Sequence, residues 1–212
     1  RRSVCMNNSR QVGLGLAMYA DEFGNWTPPG PPSHWFQYAN QFGMECVWHI
    51  GNAVYCGYMG PGLLVYLGYM PDPAVLYCPS NPTSGNPANT TLNGIWGWRT
   101  ETTRVNPSVS SNYHYRSSRQ YGSFPHPYNH GRPMSLTFDG PEEPIWSDFF
   151  SASWGPVFSH GRIFQTLYLD GSAAPVIDNQ YNLPNLVTSA VGTSVVGDWT
   201  FVDTVWSQYL KR

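Results

Sequence analysis

The segment RRSVCMNNSRQVGLGLAMYADEF, residues 1–23, carries the clearest structural pattern of the chain. Its apolar residues recur at steps of seven, four, three and four: Cys5, Val12, Leu16, Tyr19 and Phe23. These steps place the side chains on one side of an α-helix. The segment therefore predicts a helix over residues 1–22, ending near Gly24, whose apolar side packs against the rest of the protein.

A second segment, IFQTLYLDGSAAPVI at residues 163–177, predicts a β-hairpin whose turn is Asp170-Gly171-Ser172. Weaker patterns predict two short helices, at 34–42 and 62–68, and three short strands, at 75–77, 112–116 and 135–138. The order of these elements predicts one α+β domain with a small antiparallel sheet and long loops. Residues 1–24 are its helical spine and residues 25–212 its head.

The composition excludes several classes of protein. Charged residues make up 11% of the chain, the net charge is −2 and Lys211 is the one lysine, so we expect no nucleic-acid partner. Aromatic residues make up 16%, which excludes a disordered chain. No stretch of the sequence has the roughly 18 consecutive apolar residues that a transmembrane helix needs.

The four cysteines are Cys5, Cys46, Cys56 and Cys78, and none of them forms a CxxC motif of the kind that zinc ribbons use. An even number of cysteines in a lysine-poor, Trp- and Tyr-rich chain favours two disulfides outside the cytoplasm. Three pairings are open, as is a set of buried free thiols. We favour Cys46–Cys56 across a local loop and Cys5–Cys78 between the first helix and the head.

Three motifs follow one another along the chain. They are the Arg-Arg, Cys, Asn-Asn and Gln-Val-Gly pattern within residues 1–19, the segment Cys-Pro-Ser-Asn-Pro at 78–82, and His160 followed after nine residues by Asp170-Gly171. Together they resemble bacterial prepilin-type proteins with an H-X9-DG domain, which are related to the pseudopilins of type II secretion. Asn81 stands where that family commonly has Asp, and residues 28–61 match none of its motifs.

The resemblance implies a pilin-like fold and a structural role in an extracellular filament or a secretion pseudopilus. It implies that about 20 apolar residues precede Arg1 and hold the protein in the inner membrane before assembly. The partners would be copies of this chain or other pilins. On this interpretation Val12, Leu16 and Tyr19 are the candidate self-assembly residues.

The H-X9-DG motif has a structural interpretation and a chemical one. Asp170 and Gly171 suit a tight turn and His160 bridges the loop that enters the hairpin, so we expect a structural role. Asp139, Asp148 and Asp170 offer oxygen ligands of the kind that Ca²⁺ prefers, and pseudopilins of type II secretion bind calcium in a C-terminal loop. Solvated acidic turns are the alternative, and no other cofactor is expected.

The sequence has none of the common nucleotide-binding, zinc-protease or nucleophile-elbow motifs, so we do not expect an enzyme. Tryptophans and tyrosines are abundant in segments that look like loops, which suits a subunit interface or a carbohydrate platform. The alternative function is therefore a membrane-anchored surface module that recognises polysaccharide through aromatics such as Trp96 and Trp98.

Overall fold

The computed structural model describes about half of the chain and shows an α+β architecture. No helix of this described part is both long enough and apolar enough to cross a membrane. The described residues are 2–29, 38–41, 48–50, 53–55, 60–76, 78–79, 110–116, 133–148, 160, 162–178 and 205–212.

Helix α1 spans Arg2–Glu22, as the apolar period of the sequence predicts. Its buried side carries Cys5, Val12 and Leu16, and it packs on the head. Gly13 lies on this side at a close approach, since a Cβ atom there would come within 2.9 Å of Leu167 Cδ1. A glycine costs a helix about 1 kcal/mol relative to alanine, and here it allows the helix to lie tightly on the sheet.

Five strands form one antiparallel sheet with the order β1-β4-β5-β6-β7. A separate hairpin pairs β2 with β3. The strands are β1 Tyr38–Gln41, β2 Trp48–Ile50, β3 Ala53–Tyr55, β4 Ser110–Arg116, β5 Pro144–Asp148, β6 Ile163–Tyr168 and β7 Ala173–Ile177.

The predicted hairpin is present as β6 and β7 with the expected turn. Gly171 has φ +78°, a left-handed conformation that glycine adopts without strain. Asp170 Oδ1 accepts hydrogen bonds from the Ser172 amide at 2.9 Å and the Ser172 hydroxyl at 2.6 Å. The side chain of Asp170 therefore closes the turn locally, which is why the sequence predicts it.

Different elements pack on the two faces of the sheet. Helix α1 packs against β6 on one face, where Leu167 contacts it. On the other face Phe164 packs with a one-turn π-helix at Val205–Tyr209, and Tyr168 donates a hydrogen bond to the Leu210 carbonyl at 3.0 Å. Strand β5 lies in the middle of the sheet and is buried at every residue.

The structure confirms one of the predicted short elements and contradicts two others. Helix α2 covers Pro61–Leu67 and ends at Gly68, close to the predicted 62–68. The helix expected at 34–42 is wrong, because Tyr38–Gln41 is strand β1. The strand expected at 75–77 is also wrong, because a 3-10 turn runs over Pro73–Leu76, where Asp72 Oδ1 accepts the Ala74 amide.

Two further differences involve strand pairing. In the segment expected as a strand at 135–138, only Ser135 forms a bridge, to Trp26, before a turn closed by the Asp139 carboxylate. Strand β5 is absent from the elements that the sequence predicts. Its partners β4 and β6 are distant in sequence, so no local pattern of residues predicts this strand.

Candidate functional site: a buried cysteine and histidine cluster

One residue from each of the three sequence motifs meets the others in the core. Cys5 comes from α1, Cys78 follows the 3-10 turn, and His160 precedes β6. The two Sγ atoms are 2.8 Å apart, and His160 Nε2 lies 3.5 Å from Cys78 Sγ. The three ligand atoms all lie within 4.8 Å of one another. The structure therefore joins motifs that are 155 residues apart at their extremes, the difference between positions 5 and 160.

Three different elements, helix α1 and strands β4 and β5, contribute residues in and around the cluster. Cys5 lies on the buried side of α1, where its carbonyl also accepts the Ser9 hydroxyl at 3.1 Å. Strand β5 ends at Asp148, whose Oδ1 atom is 4.0 Å from His160 Nε2. Strand β4 adds Tyr113, whose ring lies 4.9 Å from that of Trp146. Tyr113 is fully buried and its side chain interacts with Cys5.

Burial makes the charges of this cluster depend on one another. Cys5 is 0% exposed, and the side chains of Asp148 and His160 are 1% and 2% exposed. Burial raises the pKa of Asp148 to about 7, against the opposing effects of His160 and the Gln165 amide. Asp148 Oδ2 accepts that amide at 2.7 Å, whereas Oδ1 accepts no hydrogen bond from the described residues.

The pKa of the Cys5 thiol and the pKa of the His160 imidazole shift in opposite directions. The hydrogen bond with Cys78 lowers the pKa of the Cys5 thiol, and His160 lowers it further. Burial by itself lowers the pKa of His160, but its contacts with Cys5 and Asp148 raise the pKa above the ordinary value. The arrangement therefore favours a thiolate next to an imidazolium when the cysteines are reduced.

The contacts do not form a nucleophile, base and carboxylate triad. In a triad the carboxylate holds one imidazole nitrogen and the nucleophile contacts the other. Here the sulfur of Cys78 and the carboxylate of Asp148 both lie beside Nε2 of His160. The geometry supports charge stabilisation of a thiol pair and does not support acyl transfer.

Cys5, Cys78 and His160 are residue types that hold zinc. Two thiolates on one tetrahedral zinc ion lie about 3.8 Å apart, as Zn–S bonds of about 2.3 Å require. The observed Sγ–Sγ distance of 2.8 Å is about 1 Å shorter. The pair is placed for a sulfur–sulfur contact, and shared coordination would need the two sulfurs to separate.

Of the two predicted disulfides, only Cys5–Cys78 lies among the described residues. Cys5 and Cys78 are brought into contact, and their disulfide remains a prediction that the geometry permits. Cys46 and Cys56 lie outside the described residues, as do Trp96 and Trp98 of the carbohydrate hypothesis.

The H-X9-DG residues do not form one site. His160 precedes β6 and the Asp170-Gly171 turn follows it, so the length of a six-residue strand, about 20 Å, separates them. His160 contacts Cys78. The expectation that it bridges the loop entering the hairpin stays a prediction, because most of that loop lies outside the described residues. Sequence reasoning identified His160 and both cysteines but not their association with Asp148 and Tyr113.

The three aspartates named as calcium candidates each have a different partner in the fold. Asp139 accepts the Ser135 amide at 2.7 Å, and Asp170 pairs with Arg212 at 2.7 Å. Asp148 faces His160. Among the described residues the one group of three His, Cys, Asp or Glu ligand atoms within 4.8 Å is the cysteine and histidine cluster, so the three aspartates are not gathered in one such group, and calcium binding stays a prediction.

The raised pKa of Asp148 leads to a testable pH dependence. An acid whose pKa is higher folded than unfolded loses stability as the pH rises from its unfolded to its folded value. Between pH 5 and pH 7.5 this should cost the wild type roughly 2–3 kcal/mol relative to Asp148→Asn, which has no carboxylate. Urea unfolding of both proteins, with the thiols in the same oxidation state, measures the difference. Parallel pH curves for the two proteins would contradict it.

Comparisons with protein-family models, with curated proteins and with solved structures each found no match. The resemblance carried by the three sequence motifs therefore stays a prediction.

Proposed function

We propose that this chain is a structural subunit of an extracellular pilus-like filament or of a type II secretion pseudopilus. In a pilin-like subunit a helical spine packs on its own head with one side and on neighbouring spines with the other. Helix α1 supports this role because one side of it packs on the head and another side carries exposed apolar residues. The proposal adopts the pilin-like interpretation of the α+β fold.

The exposed side of α1 is the observation that carries the proposal. Val4, Leu14 and Met18 are 48%, 65% and 46% exposed. At about 100° per residue these three side chains fall within about 80° on the helix surface. The centre of this arc lies about 130° around the helix from that of the buried side. The three residues form an apolar stripe, interrupted by the exposed Asn7 and Gln11, that none of the described residues covers. We call it the outer stripe.

The outer stripe replaces the residues first expected to mediate assembly. Val12, Leu16 and Tyr19 are 0%, 4% and 6% exposed and belong to the core of the head. Their side chains are enclosed within the subunit, so we propose the outer stripe in their place as the surface that contacts other subunits. The apolar period in the sequence marks the side that folds, and the outer stripe lies on a different side.

The cysteine cluster supports the same role in a second way. A filament transmits force between spine and head, so the two must be joined firmly. Cys5 lies in the first part of α1, and Cys78 belongs to the head. A disulfide between them would fix the helix to the head outside the cytoplasm.

The outer stripe provides the test of assembly. We expect Leu14→Glu in the complete protein to reduce filament formation at least tenfold, because a carboxylate would be buried between helices. Tyr66→Glu is the matched control, since Tyr66 is 61% exposed on α2, away from the stripe. Filaments sheared from the producing cells and counted by electron microscopy give the measurement. Normal filament numbers in a Leu14→Glu and Met18→Glu double variant would refute the proposal.

The proposal also requires an apolar segment before Arg1, and the N-terminus of the protein from its native cells tests this requirement. We expect mass spectrometry to find an N-methylated residue followed by about 20 apolar residues that lead into Arg1. A mature protein without such a segment would remove the element that forms a filament core. The outer stripe would then need another partner.

A further inference from the structure

We infer that Cys5, Cys78 and His160 form a reversible thiol–disulfide site, in which His160 stabilises the reduced pair and makes the disulfide easier to reduce. The reagents it exchanges with are low-molecular-weight thiols and disulfides. This inference concerns the chemistry of the head and does not depend on filament assembly. It differs from the expectation of an inert structural disulfide.

The geometry places the groups that such a site needs. The sulfurs are 2.8 Å apart, so a bond between them requires only a small approach of the two side chains. His160 Nε2 is 3.5 Å from Cys78 Sγ, within reach of the thiol proton. Asp148 Oδ1 is 4.0 Å from the same nitrogen and supplies negative charge to the imidazolium. All four side chains are buried, so water weakens none of these interactions.

The stabilisation acts on one oxidation state. In the reduced pair a thiolate lies beside the imidazolium, and the two charges attract each other at short range. In the disulfide the sulfur atoms are neutral, and this attraction is lost. A group that stabilises only the dithiol form shifts the equilibrium toward reduction, as a stabilised reduced form does in strongly oxidising disulfides.

The exchange reaction balances in atoms and electrons. The Cys5 thiolate, whose proton His160 holds, attacks one sulfur of a disulfide RSSR, which releases RS⁻ and leaves a mixed disulfide on Cys5. His160 gives its proton to RS⁻ and then takes the proton of Cys78, whose thiolate attacks the Cys5 sulfur, forms the Cys5–Cys78 bond and releases the second RS⁻. Two protein thiols are oxidised by two electrons, and RSSR becomes two RSH after proton transfer.

The charges around His160 come from several elements. Helix α1 contributes Cys5 and, at longer range, Arg2, which disfavours the imidazolium. Strand β5 contributes Asp148, which favours it. Cys78 faces the imidazole directly, and Tyr113 on β4 interacts with Cys5. Removing the imidazole is therefore the most selective way to remove the cation.

The test is an equilibrium measurement, which does not depend on how easily reagents reach the buried thiols. The chain is equilibrated near pH 7 in glutathione buffers of increasing oxidising strength, quenched with acid, alkylated and digested. Mass spectrometry then gives the fraction of Cys5 joined to Cys78. We expect His160→Gln to raise the equilibrium constant for disulfide formation about tenfold, which corresponds to about 30 mV.

A matched control separates the effect of His160 from a general change in charge. Asp21 lies on α1 about 24 Å from Cys5, at 1.5 Å per residue over 16 residues, and is exposed. Asp21→Asn should leave the equilibrium constant within twofold of the wild type. The same constant for His160→Gln and the wild type would overturn the inference, as would a thiol pair that binds one metal ion tightly or forms no disulfide in any buffer.

A second measurement uses the wild type alone, in case His160→Gln does not fold. The reduced protein should show the ultraviolet absorbance of one thiolate at about pH 7, well below the ordinary pKa of a cysteine. Acid should remove the absorbance, and so should oxidation of the pair. Fully protonated thiols at neutral pH would overturn the inference without any variant.

Discussion

Oxidising the Cys5–Cys78 pair should raise the free energy of unfolding by about 2–4 kcal/mol over that of the reduced protein. The two cysteines are 73 positions apart, and closing a loop of that length in the unfolded chain corresponds to roughly 4 kcal/mol of lost entropy. We expect less than the full value, because the reduced native protein keeps the sulfur contact and the neighbouring imidazolium. Chemical denaturation with and without a reductant measures the difference.

Cys78→Ser is the control for this first prediction. The variant should unfold at nearly the same denaturant concentration with and without reductant, apart from any contribution of Cys46 and Cys56. If wild type and variant respond equally to the reductant, Cys5 and Cys78 are not joined by a disulfide. Peptide mapping of the oxidised wild type identifies the pairing directly.

Replacing Glu143 with glutamine should destabilise the protein by about 3–5 kcal/mol. Its carboxylate receives Arg116 Nη1 at 2.8 Å and Lys211 Nζ at 2.7 Å, and the side chains of Glu143 and Arg116 are each 2% exposed. Glutamine keeps the shape but removes the negative charge, so the buried arginine loses this carboxylate as a counter-ion. Urea unfolding of wild type and variant gives the difference.

The neighbouring glutamate is a matched control for this second prediction. Glu142 also pairs with Lys211, at 3.2 Å, but its side chain is 40% exposed. Glu142→Gln should leave the unfolding midpoint nearly unchanged, because solvent screens an exposed pair. Equal losses in the two variants would mean that Lys211, and not the buried arginine pair, is the contact that matters.

The elements that sequence reasoning predicted well are those whose contacts are local. Helix α1 follows from an apolar period of one residue every three to four positions, and the turn at Asp170-Gly171 from hydrogen bonds between neighbours. Strands β6 and β7 pair across that turn, so their partners are known once the turn is known. The 3-10 turn at Pro73–Leu76 was missed because three apolar residues in a row also suit a buried strand.

The elements that were missed depend on distant partners. Strand β5 contains Pro144 and Asp148, two residues that strands disfavour, and it is stabilised by β4 on one side and β6 on the other. The apolar period predicts that Val12 and Leu16 pack on the head, but it does not indicate which residues of α1 stay exposed and apolar. Packing of the sheet and α2 against α1 encloses Val12 and Leu16 and leaves Leu14 exposed.

The sequence was sufficient to predict the helix, the hairpin, the α+β class and the candidate residues of the cluster, because periodicity and turn chemistry act over a few residues. The tertiary structure alone brought Cys5, Cys78, His160 and Asp148 together and left Val4, Leu14 and Met18 outside. The physical reason is that burial and electrostatic coupling arise from contacts between segments far apart in the chain. The charge state of a thiol pair and the choice of an outward face are properties of the packed domain.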